Sequence, residues 1–524
     1  MPKLFVFAIG GTGERVMRSF TMLLAAGIPT FDNYEVYPIL IDYDDKNEDK
    51  KRTMTLLGNY QAAHDSAFKR HGMASNQFFA SKMVQLGGLT NFVLTYKPED
   101  GKKKFRDHIG YANLSGELIG TKNLLDTLYD NSDNPTTELN LDMTVGFRGN
   151  PNIGSVVFHR LKEREEFQNF KTAFQPAQND KVMIIGSLFG GTGASGVPEL
   201  VQAIREAKPA AKIATLLVVP YFTPAHKDGG SIDARRFDAK TKAALSYYND
   251  SDLMNKISFV YYVGDPYPTV VPYSEGGDTQ KNNANIVELL GALMIEHFVR
   301  TNGEGVDKEF KYSLPIDIVV DPQSKRSTRI FIPDFDECAK TNVLKNLTSL
   351  AIGLKCFKDD ICSKKLDDKD FSVLLGLRNT PKDSLSAGGS NKLQDLCACL
   401  STFYNEFNIW MAELDFEGQG DSKPANSHRL ALYNLMKPYS EIIVTETRAK
   451  SSSKRPIGEI IVSNIKGIAK DKDVVGTDYI STRMNHHIGT YCDAKRLKDD
   501  CQKEFVFIDI LRKASNEAAE TLNK

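Results

Sequence analysis

At 524 residues the chain is too long for one compact core and predicts two to four domains. Hydrophobic residues make up 41% and charged residues 25%, the balance of a globular rather than a disordered protein. Lys and Arg number 66 against 67 Asp and Glu, so the net charge of −1 excludes a bulk positive field for nucleic acid or an anionic membrane. No eighteen apolar residues run together, so no membrane span is expected. Met1–Phe7 enters a strand-like stretch without the apolar region and cleavage site of a secretory signal. The seven Cys lie between Cys338 and Cys501 at irregular spacing, which predicts reduced thiols and a cytoplasmic chain.

In chain order, near-continuous apolar runs at Leu4–Ile9, Val36–Ile41, Val182–Ile185, Ile213–Val219 and Ile257–Val263 predict buried strands of a parallel sheet. Helical spacing follows two of them, in Val16, Phe20, Leu23 and Leu24, and in Val197, Leu200, Val201 and Ile204. This alternation predicts an α/β fold, a doubly wound and mostly parallel sheet, over residues 1–275. A polar stretch at 46–142 breaks the rhythm and predicts a partly helical insertion at the sheet edge. Asn282–Arg300 carries Ile286, Leu289, Leu290, Leu293 and His297 at helical spacing and predicts one long central helix, with its following loop over 276–311. Residues 312–524 predict a second, α+β domain with an extension, in which polar, loop-like stretches occur at Asp383–Ser390, Glu417–Ser422 and Ser451–Lys454.

The chemistry concentrates in glycine loops. In the segment Lys181–Gly196 the strand-like run Val182–Ile185 leads into a loop with Gly190, Gly191, Gly193 and Gly196, and a helix is expected from Val197 with Pro198 in its first turn. Glycines admit an anion where a Cβ would block it, and the N–H groups and dipole of the following helix attract it. Thr192 and Ser195 add hydroxyl donors. The same tetrapeptide, Gly10-Gly11-Thr12-Gly13, follows the first strand, and a third loop, Arg148-Gly149-Asn150, offers backbone donors and a charge. Neither Gly-Gly-Thr-Gly loop carries the Lys of a P-loop, and Gly11-Thr-Gly13 lacks the third glycine of a dinucleotide fingerprint. Asp42, after the second strand, stands where a ribose-binding acid would, which keeps an NAD(P)-binding Rossmann enzyme as an alternative.

Phe189-Gly-Gly-Thr-Gly-Ala-Ser-Gly196 resembles the signature loop of the tubulin/FtsZ superfamily, and the order of parts over about 1–300 is similar, as in divergent bacterial members. The resemblance implies a GTP-binding domain, a central helix and a smaller C-terminal domain. It also implies GTP or GDP with Mg2+ as cofactors, and self-association into cytoskeletal filaments with hydrolysis on head-to-tail assembly. Partners encoded in the same operon fit this reading, whereas nucleic acid does not. Besides the loops, the resemblance places Asp233 and Arg235 near the terminal phosphate, and Asp265, Asn283 and Asn285 near the base. Glu304, Asp307 and Glu309 fall where the family carries its catalytic loop, although its usual pattern has no clear copy here. A scaffold that binds nucleotide with little or no hydrolysis is the alternative. Cys397-Ala-Cys399 lacks zinc spacing, so no metal site is expected from the Cys.

Overall fold

The computed structural model describes residues 1–44, 46–68, 77–94, 103–129, 132, 137–227, 234–265, 268–274, 276–301, 309–313, 343–357, 392–414 and 501–521. Its strands are β1 (Lys3–Ile9), β2 (Glu35–Ile41), β3 (Lys181–Ser187), β4 (Lys212–Val218), β5 (Phe222–Pro224), β6 (Phe259–Gly264), β7 (Thr269–Val271) and β8 (Glu309–Ser313). The first helices are α1 (Gly10–Ala25), α2 (Glu48–Phe68), α3 (Phe105–His108), α4 (Ile119–Leu128), α5 (Pro151–Phe158) and α6 (Glu165–Ala173). They are followed by α7 (Thr192–Ala207), α8 (Phe237–Asp250), α9 (Leu253–Lys256) and α10 (Ile286–Arg300). The last three are α11 (Leu344–Cys356), α12 (Lys392–Leu414) and α13 (Cys501–Thr521).

Six strands form one sheet in the order β2-β1-β3-β4-β6-β8, every neighbouring pair parallel. The five apolar runs read from the sequence all lie in this sheet. Alternation along each strand divides the core in two. Leu4, Val6 and Ala8 face one apolar cluster, with α1, α2 and α10, while Phe5, Phe7 and Ile9 face the other, with α5, α6 and α7. Helices therefore cover both faces of the sheet, which is why the strands from β1 to β6 in it are mostly apolar.

Four expectations are corrected. The sheet does not end near residue 275, because β8 pairs with β6 in register Tyr261↔Phe310. The 46–142 stretch is only partly an edge feature. Val84 and Leu94 do donate N–H bonds to Val36 and Leu40 on β2, at 2.8 and 2.9 Å. Its long helix α2, however, buries Leu56, Leu57, Tyr60 and Ala63 in the core beside α1. The central helix begins at Ile286 rather than Asn282, because Asn285 is its N-cap. The Asn285 side chain accepts from Val287 N–H at 2.9 Å and Glu288 returns the bond to Asn285 N–H at 3.0 Å, a capping box. Finally, α7 begins at Thr192 with Gly191 as its N-cap, so Gly193 and Gly196 lie in its first turns and Pro198 lies inside the helix.

The described C-terminal elements are the three helices α11, α12 and α13, and they share the core on the α1/α2 side instead of forming a core of their own. Trp410 on α12 donates to Ser19 Oγ of α1 at 3.1 Å, and Arg512 on α13 donates to the Ala26 carbonyl at 3.0 Å. The strand-like runs Ile316–Val320 and Arg329–Ile332, and the loops at Asp383–Ser390, Glu417–Ser422 and Ser451–Lys454, lie outside the described residues. Among the described residues no helix is long and apolar enough to cross a membrane.

Candidate functional site

β1 and β3 are neighbours, but β1 continues into α1 on one face of the sheet and β3 into α7 on the other. The two connections diverge and leave a crevice at the carboxyl ends of the strands, where parallel sheets take their ligands. The Gly-Gly-Thr-Gly segments both sit at this crevice. Gly10 adopts φ +68°, a left-handed conformation that turns the chain from strand into helix. A Cβ on it would lie 3.2 Å from Thr192 Cβ and 3.5 Å from Gly193 N, so the two helix starts nearly touch. The first-turn N–H groups of α1 and α7 lack intrahelical acceptors and open, with both positive dipole ends, into one cleft.

The third loop closes the site from the α7 side. Arg148 and Gly149 both have positive φ, at 45° and 74°, and lead into α5 through Asn150. A Cβ on Gly191 would lie 3.0 Å from Gly149 N and from Phe147 Cβ, so any larger residue would push the two loops apart. Lys240 of α8 donates to the Gly149 carbonyl at 2.6 Å and holds the loop from outside.

The cleft opens to solvent at the carboxyl ends of the strands and is lined chiefly by the three glycine loops. Of the expected binding residues, Gly10, Gly11, Thr12, Asp42, Arg148, Gly149, Gly190, Gly191, Thr192 and Gly193 line it. Gly13, Asn150, Ser195 and Gly196 stand behind the lining. Gly13 packs against the Ala8 backbone, Gly196 against Ile9 and Phe158, and the Ser195 hydroxyl donates to the Gly191 carbonyl at 2.7 Å. Asp265 is buried at the end of β6, where its N–H bonds the Pro220 carbonyl at 3.2 Å, and it does not line the cleft. Asn283 is exposed, Asn285 caps α10, and Arg235 is exposed in the turn before α8. Asp233, Glu304 and Asp307 lie outside the described residues, and Glu309 opens β8.

Sequence reasoning missed Arg15, Phe222, Phe237 and Gln280, which also line the cleft. Arg15 carried a signal, since it follows Gly11 by one helical turn. Its guanidinium is buried and held on every side. Nη1 reaches Asp49 at 2.7 Å, Nε reaches Glu288 at 2.7 Å, and Nη2 reaches the Tyr221 hydroxyl at 2.7 Å and Thr12 Oγ1 at 3.3 Å. Two buried carboxylates thus neutralise the cation nearest the first loop. Phe189, Phe222 and Phe237 form an aromatic wall, with ring centroids 5.4 Å apart for Phe189–Phe222 and 4.9 Å for Phe189–Phe237.

Asp42 and Asp44 also line the cleft. Burial pushes the Asp42 carboxyl up to about 6, with Asp44 adding to the effect and Lys50 opposing it. Behind it, burial and then the Asp42 charge raise Glu14 well above the ordinary carboxylate range. Asn47 Nδ2 donates to Asp42 at 2.8 Å and approaches Glu14 at 3.4 Å. Among the described residues no group of three His, Cys, Asp or Glu is arranged to hold a metal ion. The chain matches no protein-family model and no curated protein.

Proposed function

We propose that the chain binds GTP or GDP in this cleft, with Mg2+ carried on the phosphates, and that it is a tubulin/FtsZ-like GTPase assembling head to tail into cytoplasmic filaments. The observation that carries the reading is the meeting of the α1 and α7 N-termini at the crevice between β1 and β3. Among the described residues no lysine lines the cleft, and the buried Arg15 guanidinium in the lining is already neutralised. A polyphosphate would therefore be held chiefly by backbone N–H groups and two helix dipoles, with Arg148 as the remaining cation of the lining. The resemblance of the loop Phe189–Gly196 to the family's signature and the helix α10 that follows the sheet support the tubulin/FtsZ reading over other phosphate folds.

In this reading nucleotide lies between successive subunits, and an interface that does not close on itself gives an open polymer. Hydrolysis depends on alignment and charge stabilisation around the transferred phosphoryl group. The test is phosphate release from GTP at rising protein concentration, with Gly191→Trp as control, since no side chain fits between Gly191 and the Gly149 backbone. Turnover per chain that climbs above a threshold and vanishes in the variant supports the reading. GTP binding without turnover favours the scaffold alternative. Asp42, lining the cleft directly after β2, is the one feature that favours a dinucleotide enzyme; NADH fluorescence unchanged by the protein removes that alternative.

A further inference from the structure

We infer that Gln280 is the chain's own positioning group for the terminal phosphate and the attacking water. The inference rests on the nucleotide reading above. Three side-chain nitrogens crowd the α-carbon of Gly11 in the first loop. From the point a Cβ would occupy, Gln280 Nε2 lies at 2.9 Å, and Arg15 Nη1 and Asn47 Nδ2 both at 3.4 Å. Arg15 Nη1 is engaged by Asp49 and Asn47 Nδ2 by Asp42. Gln280 differs, because its half-buried carboxamide lines the cleft with no hydrogen-bond partner among the described residues.

The backbone around it is, by contrast, fixed. Gly277 N–H bonds Asp44 Oδ2 at 2.6 Å, Lys51 pairs with Asp278 at 2.7 Å, and Gln280 N–H bonds the Gly277 carbonyl at 3.0 Å. Two residues on, Asn282 N–H approaches Asp49 at 3.4 Å and its carbonyl accepts from Arg18 at 3.4 Å and Arg52 at 3.5 Å. A stretch anchored on both sides thus holds one uncommitted carboxamide beside the first-turn N–H groups of α1. Ordering this group on a ligand requires little further loss of backbone freedom.

A carboxamide is both donor and acceptor. Its NH2 reaches a phosphate oxygen held at Gly11, while its carbonyl orients a water toward the phosphorus. The water oxygen bonds to the terminal phosphorus as the bond from that phosphorus to the bridging oxygen breaks. The electron pair leaves on the diphosphate, one water proton stays on the released phosphate and the other passes to solvent. Gln280 takes up no proton; it aligns the attack, the main requirement of phosphoryl transfer.

The experiment uses the full chain and compares Gln280→Ala with Gln280→Glu. Kd for a fluorescent GTP analogue is measured alongside kcat and KM for GTP above the assembly threshold. Circular dichroism verifies the fold. Gln280→Ala is expected to lower kcat about 10- to 100-fold with Kd changed less than about threefold. Gln280→Glu, which loses the donor and adds a charge facing phosphate, is expected to lower kcat and also weaken binding. An unchanged kcat in Gln280→Ala overturns the inference, as does a raised KM and Kd at constant kcat, which marks a ground-state contact only. Wild-type protein that binds GTP but never releases phosphate overturns the positioning role alone. Wild-type protein that binds no GTP overturns both this role and the proposed function.

Discussion

Replacing Asp49 by Ala tests whether the cleft's buried guanidinium is neutralised by the protein or left for a ligand. Asp49 is fully buried and accepts from Arg15 at 2.7 Å, from Arg18 at 3.4 Å and from Asn282 N–H at 3.4 Å. The substitution leaves two buried arginines with Glu288 as the nearest opposing carboxylate on Arg15. Removing one partner of a buried ion pair costs about 3–5 kcal/mol, because the remaining charge is desolvated without compensation. Trp410, the single Trp of the chain, is buried against Ser19 of α1, so its fluorescence in a urea titration reports this layer directly. A loss of about 3 kcal/mol or more is expected, and adding Arg15→Met is expected to recover part of it by removing one stranded charge. A loss below about 1 kcal/mol would mean that water already screens the network. The guanidinium would then be available to phosphate, and binding would not rest chiefly on backbone N–H groups.

The Asp42 carboxyl, pushed up to about 6 from an ordinary 3.8, keeps its proton to higher pH folded than unfolded. Its contribution to stability is therefore full below the unfolded value and is lost as pH rises from about 4 to about 6, on the order of 3 kcal/mol. Urea midpoints at pH 5 and 7 should differ less in Asp42→Asn than in the wild type, and GTP should bind tighter as pH falls toward 6. Equal slopes in the two proteins would refute this. Gly13→Ala places a Cβ 2.8 Å from the Ala8 carbonyl carbon and 3.0 Å from the Ile185 oxygen. It should cost about 1–3 kcal/mol in thermal unfolding, since backbone must move. Gly58→Ala, in an exposed position of α2 with nothing within 4 Å, should instead stabilise by about 0.5–1 kcal/mol. A destabilised Gly58→Ala would contradict the helix assigned there.

The sheet was legible because strands buried on both faces are apolar at most positions, so the runs around Phe5, Ile39, Ile184, Leu216 and Val260 needed no partner to be recognised. The glycine loops were legible for a similar local reason: strand, glycines and helix lie consecutively. What failed was whatever depends on a distant partner. Asn285 read as a ligand-facing amide but is consumed by the capping box with Glu288, whose other oxygen is set by Arg15, 273 residues away in sequence. β8, whose core Phe310-Lys-Tyr312 is short, was not distinguished from the loop that precedes it. Gln280 has no motif around it, and only the fold carries it to Gly11. Helix starts were misplaced at α7 and α10 because glycines and asparagines read as loop, whereas here they are the first turn and the cap.

The docking of α13 has a consequence for biosynthesis. Arg512 bonds the carbonyl of Ala26, a residue made 486 positions earlier, and α12 and α13 cover apolar side chains of α1 and α2. During translation those faces emerge first and wait for helices near the far end of the chain. Contacts this distant in sequence form slowly, and the uncovered intermediate exposes apolar surface meanwhile. A ribosome-bound chain stalled near residue 300 would hold the residues of β1, β3, β4 and β6 yet display the outer sides of α1 and α2 to any binder of apolar surface. Chaperone dependence of the nascent protein should thus persist until synthesis has passed α13, and a chain released earlier should be found in aggregates.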